Sequence, residues 1–249
     1  MLNGAKDLLF AGTTAQPLLG RPPPVCYRAH MARTQSFCGV ILAAGESSRM
    51  GRDKALLPWP PRATGPDLGG TFLSAAIRLF VSYVDVVLVV VGKNETALAP
   101  IAYANGASLV VNPDPDRGQF SSLRAGLHEV LNRGSDAAMV TLVDRPPVRM
   151  QTIETLESAF GEAITKRKWA VVPEYQGQHG HPILLGREML EAFLKAPETS
   201  NAQDVEHAHE NQIEYVSVDD PLVAVNVDTP EQYAALVMPN LPPQLLPST

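Results

Sequence analysis

The 249-residue sequence has only two cysteines, Cys26 and Cys38, and no long hydrophobic run. Two cysteines cannot build a disulfide scaffold, and alone they cannot hold a structural zinc ion. The longest apolar runs, at residues 86–91 and 137–143, are far shorter than the roughly 20 residues that a membrane-spanning helix needs. The sequence therefore predicts a cytoplasmic protein that does not cross a membrane.

Positive charge is also scarce in this chain. Twenty lysines and arginines stand against 26 aspartates and glutamates, which gives a net charge of −6 at pH 7. Because a broad nucleic-acid-binding surface needs a positive field, we expect no nucleic-acid partner, although a local basic site for a small anion stays open. With 45% hydrophobic and 18% charged residues, the chain has the composition of a folded globular protein rather than a disordered one.

Proline-rich segments divide the chain into a central region and two ends. Residues 1–36 include three consecutive prolines, which cannot lie inside a helix, and we expect a flexible extension there with Met31 as an alternative start. A second proline-rich segment at residues 58–70 predicts a surface excursion, and residues 239–249 predict a mobile tail. Residues 37–238 are then expected to form one folded domain.

Short apolar runs alternate with amphipathic stretches through the central region. The apolar runs predict strands at residues 38–43, 85–91, 108–111, 137–143, 170–172, 183–185, 215–218 and 223–227. The amphipathic stretches predict helices at residues 71–82, 121–131 and 152–163. This alternation predicts an α/β fold in three layers with a mainly parallel sheet, in which ligands bind beyond the carboxyl ends of the strands.

The loop after the first predicted strand has the composition of an anion-binding turn. Small residues at Ala43, Ala44 and Gly45 allow the backbone to approach a ligand closely, and successive N–H groups in such a turn can bind phosphate. Arg49 adds a planar guanidinium and Lys54 a mobile ammonium. The segment matches neither the Walker pattern nor Gly-x-Gly-x-x-Gly, which argues against a nicotinamide-dependent oxidoreductase. From these residues alone, a polyphosphate site and a charged surface turn both remain possible interpretations.

Two aspartates follow later strands at the same expected edge of the sheet. Asp144 comes directly after the most apolar strand, where it could bind Mg²⁺, which prefers carboxylate oxygens, or cap a local turn. Asp228 precedes Thr229 and Gln232, whose spacing forms a capping box that predicts a helix starting there. For Asp228 the alternatives are therefore a metal ligand and a structural role at a helix N-terminus.

Two weaker candidates lie elsewhere in the chain. Ser121 and Ser122 begin a predicted helix, where their hydroxyls could contact a nucleotide or simply cap the helix. His179 and His181 do not predict a zinc site, because no third nitrogen or sulfur ligand has suitable local spacing.

The segment LAAGESSRMGRDKALLP, residues 42–58, resembles the signature L-A-A-G-x-S-x-R-M-G-x-x-K of nucleotidyltransferases with a MobA-like fold. The family includes the molybdenum-cofactor cytidylyl- and guanylyltransferases and the cytidylyltransferase of isoprenoid synthesis. The resemblance covers roughly residues 37–238. It implies a GT-A-like, Rossmann-type sheet that binds a nucleoside triphosphate and Mg²⁺.

The resemblance also implies a role for each matching residue. Those implied to bind the nucleotide are Leu42, Ala43, Ala44, Gly45, Ser47, Arg49, Lys54, Ser121 and Ser122. Those implied in catalysis are Arg49, Lys54 and Asp144, and the implied Mg²⁺ ligands are Asp144 and Asp228, with Asn226 in support. Gly180 and His181 would lie on the acceptor side of the cleft. Many members carry glutamine where this chain has Arg145, a difference that bears on the choice of acceptor.

The expected reaction is transfer of a nucleoside monophosphate to a phosphorylated acceptor, with release of pyrophosphate. Guanylyltransferase-like members show a glycine at the position of Ala44, so its added methyl group favours a smaller pyrimidine and therefore CTP. Molybdopterin is the leading acceptor, and a molybdoenzyme or its chaperone is a candidate partner. Sugar phosphates and methylerythritol phosphate are alternative acceptors, and a noncatalytic nucleotide-binding protein that delivers a cofactor is an alternative function.

Overall fold

The computed structural model describes residues 36–61 and 70–236. The predicted tail and, apart from Ser36, the predicted N-terminal extension lie outside the described residues, as does most of the predicted surface excursion. The division into an extension, a domain and a tail therefore stays a prediction.

Among the described residues, eight strands form one mixed sheet. They are β1 (Phe37–Leu42), β2 (Val86–Val91), β3 (Ala107–Val111), β4 (Ala137–Leu142), β5 (Ala170–Tyr175), β6 (Gln178–His179), β7 (Ile183–Gly186) and β8 (Ile213–Ser217). The first four are parallel in the order β3-β2-β1-β4. Strand β7 runs antiparallel between β4 and β5, β6 forms a hairpin with β5, and β8 pairs parallel to β5.

The parallel strands are apolar along almost their whole length because helices cover both faces of the sheet. In β2, Val87, Val89 and Val91 join one buried cluster while Leu88 and Val90 join another. Successive side chains of a strand point to opposite faces, so a strand buried on both sides is apolar at nearly every position. Each fully buried valine or leucine contributes roughly 1.5–3 kcal/mol of transfer free energy.

The helices among the described residues are α1 (Phe72–Val81), α2 (Glu95–Ala104), α3 (Gln119–Asn132), α4 (Met150–Thr165), α5 (Arg187–Lys195), α6 (Ala202–Ala208) and α7 (Pro230–Ala235). Helices α1–α6 form the two outer layers of the domain, and α7 packs on a separate small cluster through Tyr233. Apolar side chains of α1, α2 and α4 pack on one face of the sheet, and those of α3, α5 and α6 pack on the other. The predicted three-layer α/β fold is confirmed, as are the predicted helices that correspond to α1, α3 and α4.

The strand predicted at residues 223–227 is wrong. Pro221–Ala224 form a 3₁₀ turn, Val225 after it is extended, and residues 225–228 do not join the sheet. Asp220 caps the turn by accepting a hydrogen bond from Leu222 N at 3.1 Å. Val223 and Val227 are nevertheless fully buried, so the apolar run indicated burial and not strand pairing.

No helix in the two described ranges, residues 36–61 and 70–236, is long and apolar enough to span a membrane. The cytoplasmic location stays a prediction.

Candidate active site

The candidate site lies at the edge where the parallel strands end. Strands β1 and β4 end side by side, at Leu42 and Leu142, and the loops that follow carry the first motif and Asp144. Hydrogen bonds continue past the strand ends, from Val143 N to Leu42 O at 3.0 Å and from Ala43 N to Val90 O at 2.8 Å. The start of each loop is therefore fixed by the sheet itself.

The loop after β1 folds back on itself through two left-handed residues. Ser47 has φ 51° and Gly51 has φ 72°, a region that suits glycine because a side chain there is crowded by the backbone. Between them lies a single 3₁₀ turn, Ser48–Met50. Lys54 N donates a hydrogen bond to Ser47 Oγ at 3.1 Å, which closes the loop. Gly45 stays exposed, and a Cβ at its position would meet no described atom within 4 Å.

Asn94, at the start of α2, holds this loop from the side of β2. Its Nδ2 donates to Ala43 O at 2.8 Å and to Asp53 Oδ2 at 2.7 Å, and its Oδ1 accepts from Gly92 N at 3.1 Å. Asn94 and Asp53 were not predicted from the sequence. Their only signal is a short polar residue before a helical segment, which is equally typical of an ordinary cap.

Lys54 lies between the two acidic side chains. Its Nζ is 2.6 Å from Asp228 Oδ1 and 3.2 Å from Asp144 Oδ2. Arg49 Nη2 lies 3.1 Å from the same Asp228 oxygen. The Lys54 side chain is only 10% exposed, whereas that of Arg49 is 69% exposed and is largely screened by solvent. The structure thus brings together four of the predicted site residues, Arg49, Lys54, Asp144 and Asp228.

The charge of Asp228 is stabilised by its surroundings. The hydrogen bond from Lys54 lowers the pKa of Asp228 below its usual value, and the charges of Lys54, Arg49 and Arg145 act in the same direction against the effect of burial. Asn226 Nδ2 donates to the other carboxylate oxygen, Oδ2, at 2.7 Å. Asp228 is therefore an anion at neutral pH.

Two buried oxygens at this centre, Asp144 Oδ1 and Asn226 Oδ1, have no hydrogen-bond partner among the described residues. Carboxylate and amide oxygens are ligands that Mg²⁺ accepts, with water and substrate phosphate completing its six positions. No group of three or more His, Cys, Asp or Glu side chains within residues 36–61 and 70–236 could hold a metal ion. The donor set fits a hard divalent cation that shares its coordination with a bound substrate.

Arg145 and His181 lie on the β7 side of Asp144. Arg145 Nη1 donates to Val225 O at 3.2 Å; burial lowers the pKa of its guanidinium, while the charges of Asp144 and Asp228 raise it. Burial, and then the charge of Arg145, lower the pKa of His181 to about 3. The imidazole is therefore neutral at pH 7.

Gly180 is required by a close backbone contact. A Cβ at this position would overlap the carbonyl oxygen of Val223, and His181 N donates to that same oxygen at 3.0 Å. Gly180 N donates to Pro173 O at 2.8 Å on β5. The segment predicted to face the acceptor is thus fixed against the turn Pro221–Ala224.

Ser121 and Ser122 lie beyond β3, two strands away from β1 in the sheet. Asn112 Nδ2 donates to their hydroxyl oxygens at 2.8 and 2.9 Å, and Ser121 Oγ donates to Gly118 O at 2.7 Å. Both side chains therefore fix the loop between β3 and α3, which borders a cavity of about 310 Å³. Nucleotide contacts for these serines stay a prediction, as do the individual roles of the other site residues.

The sequence matches a known domain family and characterised relatives. The profile of the MobA-like NTP transferase domain matches residues 39–213. The chain is 25% identical over 196 residues to the molybdenum cofactor cytidylyltransferase of Escherichia coli K12, covering 78% of this chain and 92% of that protein. It is 27% identical over 216 residues to the molybdenum cofactor guanylyltransferase of Xanthomonas euvesicatoria pv. vesicatoria 85-10. That match covers 84% of this chain and 99% of that protein.

The fold matches solved structures over the same region. The crystal structure of Rv0371c from Mycobacterium tuberculosis H37Rv has a TM-score of 0.67 at 25% identity, with 81% of this chain and 97% of that chain covered. A complex of Rv0371c with manganese has a TM-score of 0.63 at 23% identity, with 81% and 98% covered. The match therefore extends over almost the full length of each of these relatives.

Proposed function

Because the chain belongs to the family of MobA-like NTP transferase domains, we propose that it transfers a nucleoside monophosphate from a nucleoside triphosphate to a phosphorylated acceptor. One observation carries the proposal: the Lys54 ammonium lies 2.6 Å from Asp228 and 3.2 Å from Asp144, at the carboxyl ends of parallel strands. Such a cluster suits phosphoryl chemistry, in which positioning and charge stabilisation supply most of the catalysis.

In the proposed reaction, an oxygen of the acceptor phosphate attacks the α-phosphorus of the triphosphate. The bond from the α-phosphorus to the bridging oxygen breaks, and pyrophosphate leaves with the electron pair of that bond. A phosphate dianion has no proton to lose at the attacking oxygen, so no general base is needed. Arg49 and Lys54 would stabilise the charge that builds on the leaving pyrophosphate, with Lys54 exchanging part of its contact with the carboxylates for phosphate oxygens.

Asp144 and Asp228 would hold Mg²⁺, with Asn226 in support. When bound, the ion would neutralise phosphate charge and help to align the reacting groups. The unpartnered Asp144 Oδ1 and Asn226 Oδ1 support this assignment, because both are oxygens that a hard cation accepts. The manganese complex of Rv0371c supports divalent-metal use within this fold.

We propose CTP as the preferred triphosphate and molybdopterin as the acceptor. In this proposal the methyl group of Ala44 would narrow the space for the base, and one methyl contact is worth about 1–3 kcal/mol of discrimination against a purine. The similarity to the E. coli cytidylyltransferase supports CTP, while the similarity to a guanylyltransferase makes GTP the main competitor. A molybdoenzyme or its chaperone would then receive the product.

The test is pyrophosphate release by the full chain with CTP, GTP, ATP or UTP in the presence of Mg²⁺ and molybdopterin. We expect release to be fastest with CTP. A panel of sugar phosphates and methylerythritol phosphate identifies a different acceptor if molybdopterin is inactive. Triphosphate binding without pyrophosphate release from any acceptor would instead favour a noncatalytic carrier.

We expect Lys54→Met to lower kcat by about a hundredfold or more, because it removes a preorganised cation from the leaving group. Lys195→Met is the matched control, since Lys195 is an exposed lysine on α5 that pairs with Glu191 at 2.8 Å. Pyrophosphate release that is equal in wild type and Lys54→Met would contradict the role of Lys54.

A further inference from the structure

Arg145 places a cation in the candidate site to which the proposed mechanism gives no role. It directly follows Asp144 and is only partly exposed. One of its terminal nitrogens, Nη1, donates to Val225 O at 3.2 Å. Its Nε is buried and has no hydrogen-bond partner within the described part of the chain. A buried donor of this kind costs free energy unless something pairs with it, and the cost is larger for a charged group.

A second unpartnered nitrogen lies beside the same backbone segment. His181 N donates to Val223 O, two residues before the carbonyl that Arg145 holds. The ring nitrogen Nδ1 of His181 is buried and likewise pairs with no described residue. Arg145 and His181 therefore contact the same backbone segment, Val223–Val225, and each has an unpartnered buried nitrogen.

The sheet order puts this region on one side of Asp144 and the triphosphate residues on the other. Strand β4 lies between β1 and β7. The loop with Arg49 and Lys54 follows β1, whereas His181 comes just before β7. An acceptor that approaches from the β7 side would meet Arg145 first. Asp144 would then lie between this acceptor and the triphosphate.

Charge also favours an anion at this position. The site holds three cations, Arg49, Lys54 and Arg145, and two anions, Asp144 and Asp228. Both carboxylates are paired with Lys54 or Arg49, at nitrogen–oxygen distances of at most 3.2 Å. The guanidinium of Arg145 is paired in this structure with a neutral carbonyl. A guanidinium presents its N–H groups in a planar fork that matches two oxygens of one phosphate.

We propose that Arg145 binds the phosphate of the acceptor and thereby selects acceptors that carry a phosphate monoester. The inference rests on the proposed function, because it supplies the binding site for the second substrate of that reaction. Arg49 and Lys54 would serve the triphosphate, and Arg145 the group that attacks it. Arg145 is then a specificity-determining residue, and an uncharged acceptor is a poor substrate.

The first experiment measures phosphate binding without any turnover. Phenyl phosphate is titrated by calorimetry into the full chain, with and without Mg²⁺ and a non-hydrolysable CTP analogue. We expect Arg145→Gln to weaken phenyl phosphate binding by about tenfold or more, as for loss of a charged hydrogen bond, and Arg145→Lys to fall between it and wild type. The affinity for the CTP analogue is expected to be unchanged in both variants.

Arg124→Gln is the matched control. Arg124 is also a partly buried arginine that donates to backbone carbonyls, those of Leu194 and Ala196, but it lies on α3. If Arg124→Gln keeps wild-type affinity for phenyl phosphate, the weaker binding of Arg145→Gln is due to the position of Arg145 and not to the loss of any guanidinium. Thermal unfolding of each variant identifies any general loss of folding, and Arg145→Lys keeps the test informative if Arg145→Gln fails to fold.

Two results would overturn the inference. One is phenyl phosphate binding equal to wild type in Arg145→Gln and Arg145→Lys. The other is an equal loss of affinity for phenyl phosphate and the CTP analogue, which would assign Arg145 to the triphosphate. In steady-state kinetics, Arg145→Gln is expected to raise the KM for the acceptor and to leave the KM for CTP unchanged. Absence of pyrophosphate release from wild type would refute the proposed function, whereas the binding titration would still decide the role of Arg145.

Discussion

Among the charged side chains of the candidate site, Lys54 pairs with both carboxylates. It is almost fully buried, yet its ammonium is compensated by Asp144 and Asp228. Removing one partner of such a cluster leaves the other buried charges uncompensated, which is usually more costly than the cluster is stabilising. Substitutions here must therefore be compared with controls for folding.

The pH dependence of stability follows from the pKa of Asp228. The hydrogen bond with Lys54 lowers this pKa in the folded protein, so Asp228 releases its proton more readily there than in the unfolded chain. Its contribution to the free energy of unfolding is fully present above the unfolded aspartate pKa of about 3.9. That contribution is lost as the pH falls from there through the lower folded value.

We therefore expect Asp228→Asn to reduce the free energy of unfolding at pH 7, with a difference from wild type that shrinks as the pH approaches 3. Urea unfolding of both proteins at several pH values measures this difference. A gap between wild type and Asp228→Asn that stays constant from pH 7 to pH 3 would contradict the assignment.

At the level of helices and turns, Asp220 connects the segment that carries Asp228 to α4. Asp220 is buried, and its Oδ2 accepts hydrogen bonds from Arg149 N at 2.8 Å and from Thr152 Oγ1 at 2.7 Å. Its Oδ1 accepts from Leu222 N at 3.1 Å. One carboxylate thus fixes both the start of α4 and the turn Pro221–Ala224.

Asp220→Ala is expected to lower the free energy of unfolding by roughly 2–4 kcal/mol, because it leaves buried donors without acceptors. Asp219→Ala is the matched control, since Asp219 is the neighbouring residue of the same type and is exposed. Chemical denaturation of both variants measures the change. Equal stability of the two variants would show that Asp220 does not hold these elements together.

Gly180 gives a second test of how the turn Pro221–Ala224 is positioned. Gly180→Ala introduces a Cβ that overlaps Val223 O, so we expect a loss of about 1–3 kcal/mol in the free energy of unfolding. Gly161→Ala is the control, because Gly161 lies inside α4 and a Cβ there has no neighbour within 4 Å in the described structure. Alanine in an open helical position is expected to stabilise by about 0.4–1 kcal/mol. Thermal melts that fail to separate the two variants would contradict the close contact.

Prediction from the sequence was most successful where one physical requirement determines the pattern. Strands buried on both faces are apolar at nearly every position, which made them predictable. The Thr-x-x-Gln spacing predicted the start of α7, and hydrogen bonds between Thr229 and Gln232 confirm it. The strand predicted at residues 223–227 was wrong because residues buried in and after a turn show the same apolar pattern as a strand. Asn94 and Asp220 were missed because their partners lie far away in the sequence, and a short polar side chain does not reveal which distant donor it will meet.

The candidate site itself was predicted from a motif rather than from periodicity. Arg49, Lys54, Asp144 and Asp228 come from three separate segments, and only the parallel order of β1 and β4 with the turn before α7 brings them together. The unpartnered nitrogens of Arg145 and His181 could not be foreseen, because a missing partner is a property of packing and not of residue type.

Across the chain as a whole, a net charge of −6 surrounds a small site that is expected to bind a highly negative ligand. In the proposed function, binding therefore depends on local cations and on the proposed divalent metal rather than on long-range attraction. The same reasoning explains why removal of the metal should affect binding as well as turnover.

We expect CTP with Mg²⁺, at about a hundredfold excess over its Kd, to stabilise the folded protein by about 2.7 kcal/mol, which is roughly 5–10 °C in Tm. EDTA should abolish most of this shift. Asp144→Asn is expected to behave in the presence of Mg²⁺ as wild type does in EDTA. A CTP-induced shift that is insensitive to EDTA in the wild type would contradict the metal assignment.

The ammonium of Lys54, which lies between two carboxylates, also affects how the candidate site can bind a cation. The Lys54 ammonium offsets the mutual repulsion of Asp144 and Asp228 from within the same polypeptide. A cation that bound both carboxylates would therefore have to displace the Lys54 ammonium from at least one of them.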